Sequence, residues 1–351
     1  MRKRTLIPLL IVLAVLAALA VALFLRKEAP PEAARLLPES DAIIYIQLKP
    51  LRAASHFDET PIARSADLQK FIDATGINPE RDIDEAAFAL HKMPDPKGPN
   101  GPVAYSEVFV GHFDGQRLKR YLEQMAAQKE TYAGRIIYDI PVEHRTLRVT
   151  QLGYDMIGAS NMPTAEQVHS MVDRARTSAI GTVGSSLLAS HYHDVPLLAQ
   201  AWGIGRIGLP FAADGHLSVL GLDVPLAANS DLVASLRYSG SIKLRVEELA
   251  PDEAEAQRTV DALTTVLGIL RGISAAQPPR DEGDTALRAV LESVSVEQKH
   301  DHAVLIATAT LAQIKAIAAA RPAAIPDETT PEEPAPVEAL PPAHKSAHKT
   351  G

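Results

Sequence analysis

The amino-acid sequence predicts an α+β fold, built from antiparallel sheets with helices packed on one face. Apolar residues alternate over 232–238 and again over 242–246, with Ser239 and Gly240 between them, which is the pattern of a β-hairpin. The order strand, helix, hairpin, helix occurs over 103–176 and again over 232–320. This repeated order, without visible sequence identity, favours two similar lobes; a single larger α+β domain is the alternative.

The individual elements follow from apolar periodicity and capping residues. The apolar run over 42–48 predicts a buried strand, and Asp114 predicts the start of a helix with Leu118, Leu122 and Met125 on one face. Further strands are predicted at 106–113, 135–140, 147–151, 156–159, 216–222, 294–296 and 304–306. Further helices are predicted near 68–76, at 163–172, 187–202 (broken near Pro196), 251–270, 284–292 and 310–320.

Composition excludes several classes of protein. The 351 residues contain no cysteine, which excludes a disulfide scaffold, a thiolate zinc site and a cysteine nucleophile. The formal charge is −8, and setting aside the five basic residues among the first 27 leaves −13 for residues 28–351. A body this acidic is a poor partner for nucleic acid, which is bound through basic side chains.

The N-terminal segment predicts a membrane anchor. Residues 5–25 carry no charge, and as a helix they would extend about 32 Å, enough to cross a hydrocarbon core of about 30 Å. Three basic residues, Arg2, Lys3 and Arg4, favour a cytoplasmic N-terminus. The apolar residues expected to contact lipid include Leu6, Leu10, Leu13, Leu16, Leu19, Leu23 and Phe24.

Two alternatives to the anchor stay open. Ala18, Leu19 and Ala20 have the small-x-small form of a signal-peptide cleavage site, although the apolar run continues through Leu25. A buried core helix is the other alternative. No later stretch approaches 18 apolar residues, so the expected location is the cell inner membrane, single-pass, with residues 28–351 on the extracytoplasmic side.

The chain is expected to divide into segments of different composition. Residues 322–351 include seven prolines and almost no large apolar group, which predicts a disordered tail with polyproline II character. Such a tail could be a tether, a docking segment or a solvated end without a partner. The predicted segments are a cytoplasmic stub (1–4), the anchor (5–25), a spacer (26–38), a first lobe (39–180), a second lobe (181–321) and the tail (322–351).

One cluster has the residue types of a catalytic or metal site. His191 and His193 with Asp194 are weak candidate metal ligands, because residues two apart on a helix point in different directions. Ser186, His193 and Asp194 could supply a Ser–His–Asp triad, but the chain lacks the G-x-S-x-G turn that usually presents the serine. Packing or surface histidines are the simpler interpretation.

Other motifs favour structural explanations, and no cofactor is predicted. The glycines of 203–208 match G-x-G-x-x-G, a dinucleotide-binding motif that needs a strand before it and a helix after it. Here a helix is expected before the motif and no helical pattern follows it, which favours a turn or a bent strand. Asp82, Asp84 and Glu85 lack the spacing of a calcium loop. The 182–186 segment lacks the lysine of a phosphate-binding loop. His300 and His302 are expected at the polar tip of a hairpin, and His344 and His348 lie in the predicted tail.

Three segments, 37–48 (LPESDAIIYIQL), 71–90 and 194–211, resemble a group of uncharacterised bacterial envelope proteins with one N-terminal membrane helix and an outer domain opening LPxDAxxYxxL. The resemblance covers roughly residues 36–320. It implies the same arrangement here, and it supplies no activity and no site residue.

The expected function is therefore that of a membrane-anchored extracytoplasmic binding or scaffolding module of the bacterial envelope. The expected partners are the bilayer, through residues 5–25, and other envelope proteins. Missing catalytic patterns favour binding over catalysis. The alternative is an envelope hydrolase or metal-dependent enzyme that uses the 186–194 cluster, and a third hypothesis is a ligand cavity between the lobes.

Overall fold

A computed structural model describes residues 29–56, 58, 64–177, 184–206, 216–219, 222–225 and 230–320, with the backbone alone for 216–219 and 222–225. The predicted anchor, with Leu6, Leu10, Leu13, Leu16, Leu19, Leu23 and Phe24, lies outside the described residues. The predicted tail, with His344 and His348, also lies outside them.

The described chain alternates short helices and antiparallel strands. The helices are α1 (Glu32–Leu36), α2 (Leu48–Ser55), α3 (Ala66–Thr75), α4 (Pro79–Asp82), α5 (Gly115–Met125), α6 (Glu166–Thr177), α7 (Ser186–His191), α8 (Glu253–Ala276), α9 (Glu282–Ser293) and α10 (Leu311–Ala320). The strands are β1 (Ala42–Gln47), β2 (Ile83–Lys92), β3 (Val103–Gly111), β4 (Gln128–Tyr132), β5 (Arg135–Val142), β6 (Arg145–Gln151), β7 (Met156–Ser160), β8 (Ala201–Arg206), β9 (His216–Val219), β10 (Leu222–Pro225), β11 (Asp231–Tyr238), β12 (Ile242–Leu249), β13 (Ser295–Lys299) and β14 (His302–Ala309).

Twelve strands form one antiparallel sheet, which confirms the predicted α+β class. The strand order is β13-β14-β12-β11-β8-β1-β2-β3-β7-β6-β5-β4, and β9 pairs with β10 in a separate hairpin. The sheet is continuous across the predicted lobe boundary at 180 and 181, because β8 pairs with β1 on one side and β11 on the other. The division into lobes stays a prediction about chain organisation.

Helices α1, α6 and α7 cover one face of the sheet, here called the covered face. Tyr45 of β1 stacks on Trp202 of β8 with ring centroids 5.4 Å apart, and both rings are buried beneath these helices. Burial of this apolar surface is the main source of stability for the fold. The buried side chains of this core include Leu36, Leu37, Ile43, Val108, Ile137, Met171, Val172, Leu188, Ile204 and Val233.

A second core lies on the opposite face, here called the open face. Ile137 and Tyr138 are neighbours in β5 and therefore point to opposite faces, yet both are buried. Tyr138 packs in a cluster with Leu118 and Leu122 of α5. The expectation that helices pack on one face only is wrong, because β5 is apolar on both faces and each face needs a cover.

Helix α8 also lies on the open face, at the other end of the sheet. Gln298 of β13 lies opposite Ala303 of β14. The same line of paired residues continues across β12, β11 and β8 to Ala42 of β1, whose side chain points to the open face. Gln298 therefore points to the open face as well. The amide of Gln298 donates to the Glu253 carbonyl at the start of α8, over 2.8 Å. The open face is therefore flanked by α5 at one end and α8 at the other.

The predicted helix over 187–202 is wrong in its second half. Helix α7 ends at His191, a 3-10 turn covers Tyr192–Asp194, and the chain enters the sheet at Ala201. Strand pairing on both sides decides the structure here, against the local helical pattern. A side-chain methyl on Gly205 would lie 2.9 Å from the Cα of Ala42, so glycine permits the close approach of β8 to β1.

Two further strand predictions need comment. The glycines at 203 and 205 of the G-x-G-x-x-G match lie inside β8, as the bent-strand interpretation expected, while Gly208 lies outside the described residues. The segment 216–222, predicted as one strand, contains β9, which ends at Val219, and the first residue of β10.

Among the described residues, α8 is the one helix long and apolar enough to cross a membrane by length and composition. Only 17% of its most apolar 18-residue window is buried. The prediction of a single membrane span at residues 5–25 stays a prediction.

Candidate ligand-binding surface

The structure gives Ser186 a partner other than histidine. Its hydroxyl donates to Glu39 Oε2 over 2.6 Å, and its backbone amide donates to the same carboxylate. Arg174 donates to Glu39 from α6, so this carboxylate joins α7 to α6. Within the described residues, the hydroxyl of Ser186 makes no contact with His193, which the triad hypothesis requires.

His191 and Asp194 come together with a third residue that the sequence did not indicate. His191 Nε2 lies 3.1 Å from Asp231 Oδ2 at the start of β11, and Nδ1 lies 3.5 Å from Asp194 Oδ2. His193 Nε2 lies 3.2 Å from Asp194 Oδ1, with its side chain 74% exposed. These close contacts link the 3-10 turn to the start of β11, although His191 Nδ1 and Asp194 Oδ2 have no hydrogen-bond partner among the described residues.

No group of three His, Asp or Glu side chains is placed to hold a metal ion in the part of the chain that the structure describes. The hypothesis of a hydrolase or metal-dependent enzyme at 186–194 gains no support from these distances and stays a prediction.

The acidic residues at 82–85 point in different directions. Asp82 pairs with Arg81 at 2.8 Å, and Asp84 pairs with Arg52 at 3.2 Å. Glu85 lies on the covered face, where it hydrogen-bonds to Tyr45. These three carboxylates therefore do not converge on one point. His302, at the predicted hairpin tip, begins β14 and contacts Glu247 at 2.8 Å.

A different feature, which the sequence did not reveal, occupies the middle of the open face. Six strands, β3, β2, β1, β8, β11 and β12, lie between the ends covered by α5 and α8, a width of about 29 Å at about 4.8 Å per strand. The helix that packs on β1 and β8 is α7, and it lies on the covered face. We call the open strip the apolar trough; its half-buried side chains are Ile44, Ile46, Phe88, Leu90, Phe109, Leu232, Ala234, Leu236 and Val246.

Strand β8 forms a furrow along the trough. Its residues on the open face are Ala201, Gly203 and Gly205, between the larger side chains of β1 and β11. Among the described residues, no neighbouring atom would lie closer than 3.6 Å to a methyl group on Gly203, which leaves space above this residue. Above Gly205 the same space is closed by Ala42. The furrow is therefore widest at Gly203.

One carboxyl group lies at the β3 side of the trough. Glu107 is opposite Phe88 on β2 and Ala159 on β7, and no side chain of the described residues hydrogen-bonds to it. Burial raises the pKa of the Glu107 carboxyl to about 7, because the charged form is separated from water among apolar groups. Phe88 also meets Phe109 edge to face at 5.8 Å, which fixes the surface beside the carboxyl.

The sequence carried a partial signal for this surface. In β1, Ile44 and Ile46 alternate with Ile43 and Tyr45, so both faces of the strand are apolar. Such a pattern predicts a cover on each face. The covered face has one in α1, α6 and α7, whereas no helix of the described residues packs over the trough on the open face.

Comparisons with known proteins give a distant structural likeness. No family model and no curated protein matches the chain. Among solved structures, crystal form III of TP0453 is 10% identical with a TM-score of 0.42, and the match covers 82% of this chain and 97% of that one. Crystal form IV is 9% identical with a TM-score of 0.41, covering 84% and 99%. A likeness at this level says nothing about function.

Proposed function

We propose that this protein is a membrane-anchored, extracytoplasmic binding module that holds the acyl chain of a lipid or fatty acid in the apolar trough. The trough carries the proposal, because it is a strip of apolar side chains from five strands with a furrow along its middle, bordered by the carboxyl groups of Glu107 on β3 and Glu248 on β12. Contiguous apolar surface of this kind is typical of ligand or partner contacts in proteins.

Burial of an acyl chain would supply the binding free energy. Each methylene removed from water contributes about 0.8 kcal/mol, so a chain of about ten methylenes gains roughly 8 kcal/mol before the cost of ordering. The furrow at Gly203 offers the space for such a chain between Ile44 and Ala234. Anionic head groups are disfavoured beside an ionised Glu107, so the head group is expected away from β3.

Photo-crosslinking tests the trough. The full chain in proteoliposomes is exposed to a fatty acid carrying a diazirine in its acyl chain, irradiated and digested, and the labelled peptides are mapped by mass spectrometry. We expect labels in β1, β2, β8 and β11. Labels confined to residues 5–25 and to α8 would overturn the proposal.

A matched pair of variants sharpens the same experiment. Gly203→Leu places a side chain in the furrow, and Gly268→Leu places one on α8, where no described residue outside the surrounding helix turns has an atom within 4 Å of the added Cβ. Labelling of the β1 and β11 peptides is expected to fall several-fold in the first variant and to stay unchanged in the second. Equal labelling in both variants would contradict binding in the furrow.

The anchoring part of the proposal has its own test. We expect the full chain to stay in the membrane after a carbonate wash, and a reporter fused after Leu37 to be active only outside the cytoplasm. Release by carbonate, or a reporter that works in the cytoplasm, would overturn the anchor without affecting the trough.

A further inference from the structure

Helix α8 exposes an apolar face that the trough does not use. The helix has 24 residues, yet its fully buried residues are Ala256 and Thr259, both in the N-terminal part. Farther along, Ile269 is 47% exposed and Ile273 is 55% exposed. With a helical repeat of 3.6 residues, Ala262, Val266, Ile269 and Ile273 lie on one side. We call these four residues the α8 face.

The C-terminal half of α8 presents almost no charge to its surroundings. Between Asp261 and Arg280 the single charged residue is Arg271. Its guanidinium turns toward the end of α9, where it donates to the carbonyls of Leu291 at 3.0 Å and Val294 at 2.7 Å. The α8 face therefore lies beside a stretch of Gly, Ala and Thr without a solvated charge, which is unusual for a helix in contact with water.

The neighbouring helices show the same tendency. Leu287 of α9 is 42% exposed and Ile314 of α10 is 40% exposed, and α10 has no fully buried residue. The layer formed by α8, α9 and α10 thus leaves several large apolar side chains outside the core, whereas α6 buries Val168, Met171 and Val172.

The N-terminal segment indicates which apolar phase is within reach. Ala33 and Ala34 are fully buried, so the folded body begins within α1. The predicted anchor ends at residue 25, and seven residues (26–32) extend at most about 25 Å. A bilayer crossed by residues 5–25 would therefore always lie close to the body, at a far higher effective concentration than any diffusing partner.

We infer that the α8 face lies on the bilayer that the N-terminal anchor crosses, with the helix axis in the interfacial plane. The helix does not cross the membrane, because its first turns are fixed to the sheet through Gln298 and its middle is fixed to α9 through Arg271. Apolar helices of this kind bury one face in the boundary between head groups and acyl chains. The inference rests on the anchoring part of the proposed function and is independent of the trough.

Site-specific labelling tests this contact. The chain has no cysteine, so single cysteines can be introduced in the full-length protein without other changes. Ile269→Cys and Ile273→Cys place a fluorophore (NBD) on the α8 face, and Thr264→Cys places it on a different exposed side of the same helix. Each protein is reconstituted in liposomes with and without lipids that carry a doxyl quencher in the acyl chain.

We expect the quencher to reduce fluorescence at 269 and 273 at least three-fold more than at 264. Equal quenching at all three positions would overturn the inference. In the doubly substituted Ile269→Glu, Ile273→Glu protein, with the label at Ala262→Cys, quenching is expected to fall to the level seen at 264. Quenching that persists in this protein would equally count against the α8 face.

Two further readouts separate the possible failures. Resistance to carbonate is measured on the same samples, so loss of the anchor is distinguished from loss of the α8 contact. A pyrene label at position 273 tests whether a second copy of the chain, instead of the bilayer, covers the α8 face. Excimer fluorescence that rises with protein density, without quenching by the doxyl lipids, would indicate a dimer and overturn the inference.

Discussion

The middle of the sheet, on its covered face, and the end formed by β13 and β14 are built from the same kinds of element but are packed differently. Around β1, β2 and β3, Ile43 and Val108 of the sheet are fully buried beneath α1, α6 and α7, together with Met171 of α6. Around β13 and β14, α8 keeps Ile269 and Ile273 in contact with solvent. The covered face is a closed core, whereas the helices at the β13 and β14 end leave large apolar side chains exposed to solvent.

This difference separates residues that hold the fold together from residues available for contacts with other molecules. Apolar groups in the closed core stabilise the native state by leaving water on folding. Apolar groups on the α8 face and in the trough gain that free energy only when a lipid or another surface covers them. The following three pairs of variants test the separation.

The largest contrast is expected between two isoleucines. Ile204→Ala, in the covered core between Ile43 and Val233, should lower the free energy of unfolding by about 2–5 kcal/mol, because it leaves a cavity. Ile273→Ala should change it by less than about 0.5 kcal/mol. Urea denaturation of the full chain in mild detergent measures both. Similar losses would show that α8 is packed as tightly as the core.

Glu107→Gln is expected to have an effect that depends on pH. The folded-state pKa of Glu107 is raised to about 7, so the stability that its protonated form provides is present at low pH and is lost as the pH rises from about 4.5 through 7. At pH 8 the substitution should therefore raise the free energy of unfolding, by at most about 3 kcal/mol.

At pH 4 the same substitution should have little effect, because the carboxyl is already neutral. Glu123→Gln, on the exposed side of α5, serves as the control and should show no such difference between the two pH values. A gain for Glu107→Gln that is the same at pH 4 and pH 8 would contradict the assignment of the effect to ionisation.

The smallest effect is expected in the two glycines of β8, which share one face of one strand. Gly205→Ala should cost about 1–3 kcal/mol, because its methyl group meets Ala42. Gly203→Ala should be neutral or stabilise by up to about 1 kcal/mol, because the furrow has room and alanine restricts the unfolded chain. Thermal unfolding midpoints compare them, and a reversed order would mean that the furrow lies elsewhere.

The elements that the sequence predicted well have a strong local pattern. Asp114 caps α5 by accepting from the backbone amides of Gln116 and Arg117, and Leu118 and Leu122 are buried as the helical period required. Strand β4 was missed because Gln128–Tyr132 is polar and exposed and pairs only with β5 at the edge of the sheet. The predicted end of the 187–202 helix was wrong because β8 is held by strand partners that lie 25 or more residues away in the sequence.

The candidate surface could be predicted only in part. Sequence alone showed that β1 is apolar on both faces, and it placed Ser186, His191, His193 and Asp194 close together along the chain. It could not show that the Ser186 hydroxyl bonds to Glu39 or that His191 meets Asp231, because these contacts join segments far apart in sequence. The trough was invisible for the same reason.

The sequence by itself determined most of the local elements and the α+β class, since apolar periods and capping residues act over a few neighbouring positions. Only the tertiary structure decided that β8 enters the centre of the sheet and that β1 has one covered and one open face. The physical reason is that the sequence of a strand shows which of its side chains are apolar but not which helices pack on them. Those helices come from distant parts of the chain, and they leave some of the apolar surface uncovered.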